Sequence, residues 1–250
     1  MRLIGSGWKS VSLIDVHGSP TFTLWLCMCN LKCPFCHNWR LAINDPSYCK
    51  ELDMELLIDE LIHSRRLIDY LHVTGGEPLI QYRELIKLFK YTNENLGISN
   101  SLNTNATLYA PLKKLVMNNL IEHIATDLKT PFKKLIGYNG QLADKLWRMY
   151  LESLKLIVDH NILLELRIPV SKLLSGADAK KEILEILRIL DKNSNFYVVI
   201  EPLFGEPITN PRDREWCRMN CNVSNNDLYS IADFLRKHGV TRIYVREFIR

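Results

Sequence analysis

Residues 21–36 read TFTLWLCMCNLKCPFC, from Thr21 to Cys36. The first seven mix β-branched, aromatic and aliphatic side chains, the composition of a buried strand. The remainder sets Cys29, Cys33 and Cys36 on one loop, with three residues and then two between them. Soft thiolates at such spacing suit an iron–sulfur cluster or zinc. Either usually takes four protein ligands, and no fourth stands out beside these three. An iron with one position left open is the arrangement this implies.

Outward from this stretch the chain alternates. Strand-like runs fall at residues 70–74, 98–103, 121–126, 162–170, 196–201 and 242–249. Helix-spaced apolar stripes fall at 54–62, 82–89, 111–120, 142–160, 179–191 and 228–235. Asp53 is placed to cap the first of these helices. Strand and helix in strict turn imply parallel pairing with helical crossovers. The expected fold is therefore α/β, a partial (β/α)6 TIM-like barrel; a complete eightfold barrel would also fit the length. One domain is expected over residues 1–250, with a core at about 12–202 and an irregular extension from about 203 to 250.

Parallel barrels carry their working residues at the C-terminal ends of strands. The cysteine loop follows the first strand. Gly75-Gly76-Glu77-Pro78 follows the second, Asn103-Thr104-Asn105 the third, and Asp127-Leu128-Lys129 the fourth. Each unusual polar cluster thus falls on the face where a barrel does chemistry.

Hydrophobic residues make up 47% of the chain and charged residues 24%, which excludes a disordered polymer. A formal charge of +4 is too slight to argue for nucleic acid, and none is expected. Arg212, Arg214 and Arg218 read as a solvated face. No apolar run is long enough for a membrane span, and the first ten residues lack the apolar core of a signal peptide. A cytoplasmic location follows as an expectation. The seven cysteines then read as thiols or metal ligands rather than a disulfide framework. Cys27, Cys49, Cys217 and Cys221 are expected to be plain thiols, with a second metal as the alternative.

Two rivals compete for the cysteine loop. Cys33-Pro34-Phe35-Cys36 alone would suit a thioredoxin-like dithiol, which leaves Cys29 unexplained. Zinc with His37 as fourth ligand would need two adjacent residues, Cys36 and His37, to reach one ion.

Cys29-x3-Cys33-x2-Cys36, with the aromatic Phe35 before the last cysteine, resembles the signature of the radical S-adenosylmethionine enzymes. Gly75-Gly76-Glu77-Pro78 resembles their second motif. The resemblance covers residues from about 12 to 170. It implies that Cys29, Cys33 and Cys36 hold a [4Fe–4S] cluster whose fourth iron is chelated by S-adenosyl-L-methionine. Reductive cleavage of that cofactor would yield a 5′-deoxyadenosyl radical, which takes a hydrogen atom from substrate. By the same resemblance Gly75, Gly76 and Glu77 lie at the methionyl amino group, and Phe35 lies near adenine.

Cys36-His37-Asn38, Thr74 to Leu79, Asn103 to Asn105 and Asp127 to Lys129 together look like the glycyl-radical-enzyme activases, including those of pyruvate formate-lyase and anaerobic ribonucleotide reductase. This implies that Asp127 and Lys129 hold S-adenosylmethionine, with His37, Asn105 and Arg167 also near it. Asn105 reads equally as an Asx turn, and Arg167 as a salt-bridge partner of Glu165. The implied partners are a glycyl-radical enzyme as protein substrate and a reducing donor such as flavodoxin or ferredoxin. The chain departs from the pattern at residues 200–204, where some activases have a histidine, and at residues 216–221. Two other functions fit: the same radical chemistry on a small molecule, a peptide or RNA, and a non-catalytic iron–sulfur or zinc module.

Overall fold

A computed structural model describes residues 1–190 and 195–247. In chain order the strands are β1 (Ile4–Val16), β2 (Ser19–Leu26), β3 (Lys50–Glu51), β4 (Tyr70–Gly75), β5 (Ser99–Asn103), β6 (His123–Asp127), β7 (Leu163–Val170), β8 (Phe196–Pro202) and β9 (Ile243–Val245). The helices are α1 (Trp39–Ala42), α2 (Met54–Ser64), α3 (Tyr82–Tyr91), α4 (Tyr109–Met117), α5 (Phe132–Leu135), α6 (Gly140–Asp159), α7 (Ala177–Ile189), α8 (Arg214–Asn220) and α9 (Asn225–Lys237). The alternation predicted from sequence is present, and the fold is α/β with parallel strands, of the partial TIM-like type. The expected helix end at Asp191 and the expected strand residues Phe248 and Ile249 lie outside the described residues.

The chain forms two compact units: Met1–Asn30 with Arg40–Ala125, and Leu31–Trp39 with Thr126 onward. In the first unit the strand order is β3-β1-β2-β4-β5-β6. Strand β1 pairs antiparallel with β2 and β3, while β2, β4, β5 and β6 run parallel. In the second unit β7, β8 and β9 are parallel neighbours.

Local chemistry explains the elements. Asp53 caps α2 as expected, accepting hydrogen bonds from the Glu55 and Leu56 amides. The α3 stripe Leu85, Leu88 and Phe89 is fully buried. Side chains on both faces of β4 and β7 are mostly buried, as parallel strands covered on both sides require. Strand β1 escaped the sequence reading. Its register slips three times against β2, which breaks the period-two alternation that marks a strand.

The four cysteines outside the motif correct the sequence expectation. Cys27 is disulfide-bonded to Cys49, and Cys217 to Cys221. They are neither plain thiols nor ligands of a second metal. Cys217 lies on α8 and Cys221 at its C-cap, and their Cα atoms lie 4.8 Å apart, inside the reach of a disulfide. Cys49 sits on a turn whose amide bonds to the Asp45 carbonyl, which leaves its Cα 6.1 Å from that of Cys27.

Candidate functional site

In the first unit, strand β2 ends at Leu26 and the chain enters the cysteine loop through Met28, a non-glycine residue with φ +73°. The Met28 and Cys29 amides donate to the Leu41 and Ala42 carbonyls of α1, which anchors the start of the loop. Gly75 and Gly76 follow β4. A Cβ at Gly75 would sit 2.3 Å from the Leu26 carbonyl oxygen, and one at Gly76 would sit 2.2 Å from that of Met28. Gly75 also has φ +111°. These glycines are therefore required by close approach to the chain's own backbone at the loop entrance.

Glu77 was expected at the cofactor. Its carboxylate is fully buried and accepts from Leu79 N at 3.0 Å, Thr104 Oγ1 at 2.8 Å and Asn105 N at 2.7 Å. Three internal donors engage its oxygens and tie the β4 loop to the β5 loop. The tie presents Asn105. Asn105 Nδ2 donates to Asn30 Oδ1 at 2.8 Å and lies 3.8 Å from Cys29 Sγ. Asn105 Oδ1 meanwhile accepts from the Thr107 amide at 3.0 Å, the Asx turn read from sequence. The Asx turn read from sequence is therefore present, and the same side chain reaches the first cysteine of the loop.

In the second unit, Cys33 is buried and Cys36 partly exposed. Burial pushes the Cys36 thiol up, against the pull of the Arg212 charge. Phe35, expected beside adenine, packs against Trp216, with ring centroids 6.1 Å apart. Asp127 and Lys129 leave the end of β6. Lys129 Nζ bonds Asp127 Oδ2 at 2.9 Å, and both groups are largely shielded from solvent. Burial works against the Asp127 charge, but Lys129, Arg167 and His37 outweigh it and hold the carboxyl below the usual carboxylate range. His37 itself is exposed. Arg167 Nε bonds Glu165 Oε1 at 2.6 Å, the salt bridge read as its alternative, and Tyr197 Oη donates to the other Glu165 oxygen at 2.6 Å. Burial opposes the Arg167 charge too, but Glu165, Glu201 and Asp127 together keep the guanidinium ionised.

Sequence reasoning read Arg212, in the segment before α8, as part of a solvated face, whereas its Nε is buried. The backbone of this segment lies on the cysteine loop: Arg212 N donates to the Cys36 carbonyl at 3.1 Å and Asp213 N to that of Pro34 at 2.9 Å. Trp39 Nε1 donates to the Asn210 carbonyl at 3.2 Å. Asp213 then caps α8 through the Trp216 amide. The only advance signal was that this segment combined aromatic, basic and cysteine residues.

The chain matches the Radical SAM superfamily over residues 26–172, more than half of its 250 residues. It belongs to that superfamily, whose cofactors are a [4Fe–4S] cluster and S-adenosyl-L-methionine. A protein of Methanocaldococcus jannaschii, provisionally named a glycyl-radical enzyme activating enzyme, is 26% identical over 94% of this chain and 81% of its own length. The pyruvate formate-lyase-activating enzyme of Staphylococcus aureus strain USA300 is 35% identical over 39% of each chain. Streptococcus suis SuiB, solved with its precursor peptide SuiA, shares the fold with a TM-score of 0.59 at 14% identity, covering 88% of this chain and 46% of SuiB.

The donor set fits the superfamily's cluster. Of seven cysteines, four are spent in disulfides, and those outside any disulfide are Cys29, Cys33 and Cys36. Among the described residues no set of three or more His, Cys, Asp or Glu side chains gathers closely enough to hold a single metal ion. A cluster makes a different demand, because each thiolate binds its own iron. Among the described residues no helix is long and apolar enough to cross a membrane.

Proposed function

We propose that this protein is a glycyl-radical-enzyme activase, acting on a backbone glycine of a partner enzyme. The observation that carries the reading is the relative of that name, which aligns with 94% of the chain and itself aligns over 81%. The motif carries the chemistry: Cys29, Cys33 and Cys36 would hold the [4Fe–4S] cluster, and every other cysteine is paired in a disulfide. When bound, that cluster and S-adenosylmethionine supply a 5′-deoxyadenosyl radical by one-electron reductive cleavage.

The chain's own residues bind and orient. Glu77, held by three donors, fixes the loop that keeps the Asn105 amide at the Cys29 thiol, where an N–H toward sulfur favours the thiolate. The backbone at Gly75 and Gly76 is the proposed contact for the methionyl amino group. Asp127 stays ionised and is the proposed acceptor for polar hydrogens of the cofactor, with Lys129 setting its orientation. Arg167 contributes positive charge beside Asp127, and His37 lies beside it with its imidazole pushed below the ordinary range by desolvation. Phe35 packs on Trp216 and Cys33 is buried, an arrangement that would limit water and oxygen at the loop.

A single domain with its core at about 12–202, a cytoplasmic location and a flavodoxin- or ferredoxin-type donor complete the proposal. The motifs bind cofactor and not substrate, so a small molecule, peptide or RNA substrate is the alternative. The deciding experiment incubates the reconstituted, reduced protein with S-adenosylmethionine and purified glycyl-radical partners under strict anaerobiosis. A glycyl doublet in the electron-spin-resonance spectrum is expected with one partner. Turnover of S-adenosylmethionine with no partner radical in any pairing would reject the activase reading and leave the radical chemistry standing.

A further inference from the structure

Strands β7 and β8 of the second unit carry two carboxylates in unequal states. Glu165 lies opposite Tyr197, and Pro169 opposite Glu201. With side chains alternating along each strand, Glu165, Arg167, Tyr197 and Glu201 share one face of the sheet. Glu165 is fully buried and both of its oxygens are engaged, one by Arg167 Nε and the other by the Tyr197 phenol. Glu201 stands one residue before the end of β8, and its side chain is 29% exposed. Its Oε2 accepts from Arg246 Nη1 at 3.2 Å. Among the described residues Glu201 Oε1 has no hydrogen-bond partner.

Glu165 is therefore structural, while Glu201 keeps an acceptor in reserve. Burial pushes the Glu201 carboxyl up; Arg167 and Arg246 pull it down, and the Asp127 and Glu165 charges add to the rise. A shielded carboxylate with an unused oxygen gains from one more donor. Its place in the chain narrows what that donor is. The region shared with the superfamily ends at residue 172, and what its members share is cofactor chemistry. Glu201 and Arg246 lie beyond that limit, yet Glu201 is close enough to Arg167 and Asp127 to feel both charges. The Arg246 amide donates to the Ile200 carbonyl at 2.8 Å, which fixes the guanidinium on Glu201. A residue outside the shared region that reaches the same charges is placed to meet what differs between members, the substrate.

The proposed function, on which this inference rests, makes that substrate a glycine within a backbone. Glycine has no side chain, so its only polar handles are the peptide N–H and C=O. A carboxylate oxygen can accept only the first of these. We propose that Glu201 is a substrate-recognition residue whose Oε1 accepts a hydrogen bond from the backbone N–H of the target glycine, with Arg246 as its positioning residue. No covalent bond forms or breaks in this contact. It orients the glycine α-carbon for abstraction, and it leaves the cofactor to the groups of the shared region.

The test uses the full reconstituted chain with S-adenosylmethionine and no reductant, so that binding is read without turnover. The probes are acetyl-Ala-Gly-Ala-amide and the same peptide methylated at the glycine nitrogen, which removes the N–H. Wild type should bind the first at least about tenfold more tightly than the second. Glu201→Ala should bind the two within about twofold of each other, and Glu201→Gln, whose amide oxygen still accepts, should restore part of the difference. A merely structural role for Glu201 would shift both affinities together and leave their ratio alone. The same ratio in wild type and Glu201→Ala would therefore overturn the proposal, as would a wild type that does not distinguish the probes. Loss of S-adenosylmethionine affinity in Glu201→Ala with the peptide ratio retained would also overturn it and assign the carboxylate to the cofactor. Failure of the activase reading would appear separately, as no glycyl radical on any partner with the peptide ratio intact.

Discussion

The two units hold their share of the candidate residues in opposite ways. In the first, one buried carboxylate, Glu77, gathers neutral donors from two loops and ends in a single amide at the Cys29 thiol. In the second, full charges balance one another: Asp127 with Lys129, Arg167 with Glu165, and Glu201 with Arg246. The first is a scaffold whose donors and acceptors are consumed internally. The second keeps full charges in opposite-sign pairs, which a charged ligand can re-pair with. The difference teaches that residues adjacent in a motif need not share a role.

The largest effect expected from breaking this contrast lies at the thiols. Alanine at Cys29, Cys33 or Cys36 should abolish cluster incorporation and 5′-deoxyadenosine formation, read by iron content and chromatography. Serine at both Cys217 and Cys221 should leave about four irons per chain, because those thiols are already paired. Next is Glu77→Ala, which strands three donors in the interior and should cost about 4 kcal/mol in denaturant unfolding. A loss under about 1 kcal/mol would mean that Glu77 faces a ligand after all. Opening Cys27–Cys49 by paired serines removes a cross-link spanning 22 residues and should cost ~3 kcal/mol.

Trp216→Ala removes the ring that packs on Phe35 and should cost about 1 kcal/mol, while cluster loss in air accelerates. The smallest effect is a pH dependence. The Asp127 carboxyl is held below its unfolded value, near 3.9 or roughly so. Its contribution is therefore complete above that unfolded value and is lost as pH falls through the lower folded one. The stability gap between wild type and Asp127→Asn should accordingly narrow on acidification. A gap that stays constant with pH would show that Asp127 is not held ionised by its neighbours.

Much of this was legible in the sequence because the signals were local. The cysteine spacing, the Gly75-Gly76 pair and the Asp127–Lys129 pair each fall within a few residues at a strand end, where the alternation of elements already puts function. Strand β1 was illegible because its slipped register hides the period of two. The role of Glu77 was hidden because its partners come from the next strand's loop, and only folding brings Thr104 and Asn105 to it. Trp216 and Arg212 lie far down the chain from the loop they cover and carry no spacing signal. The Cys27–Cys49 bond likewise depends on where a turn returns the chain. Cys217 and Cys221 did carry a signal, a helical spacing of four, which suits a disulfide as well as a metal.

The central claim is hydrogen abstraction from a partner's glycine. It is tested most directly by labelling that glycine with deuterium at the α-carbon and recovering 5′-deoxyadenosine after anaerobic turnover with the reduced protein. Deuterium in the 5′-methyl group, matched to the radical formed on the partner, is the predicted result. Unlabelled 5′-deoxyadenosine alongside a full partner signal, or label drawn instead from a small molecule, would contradict it.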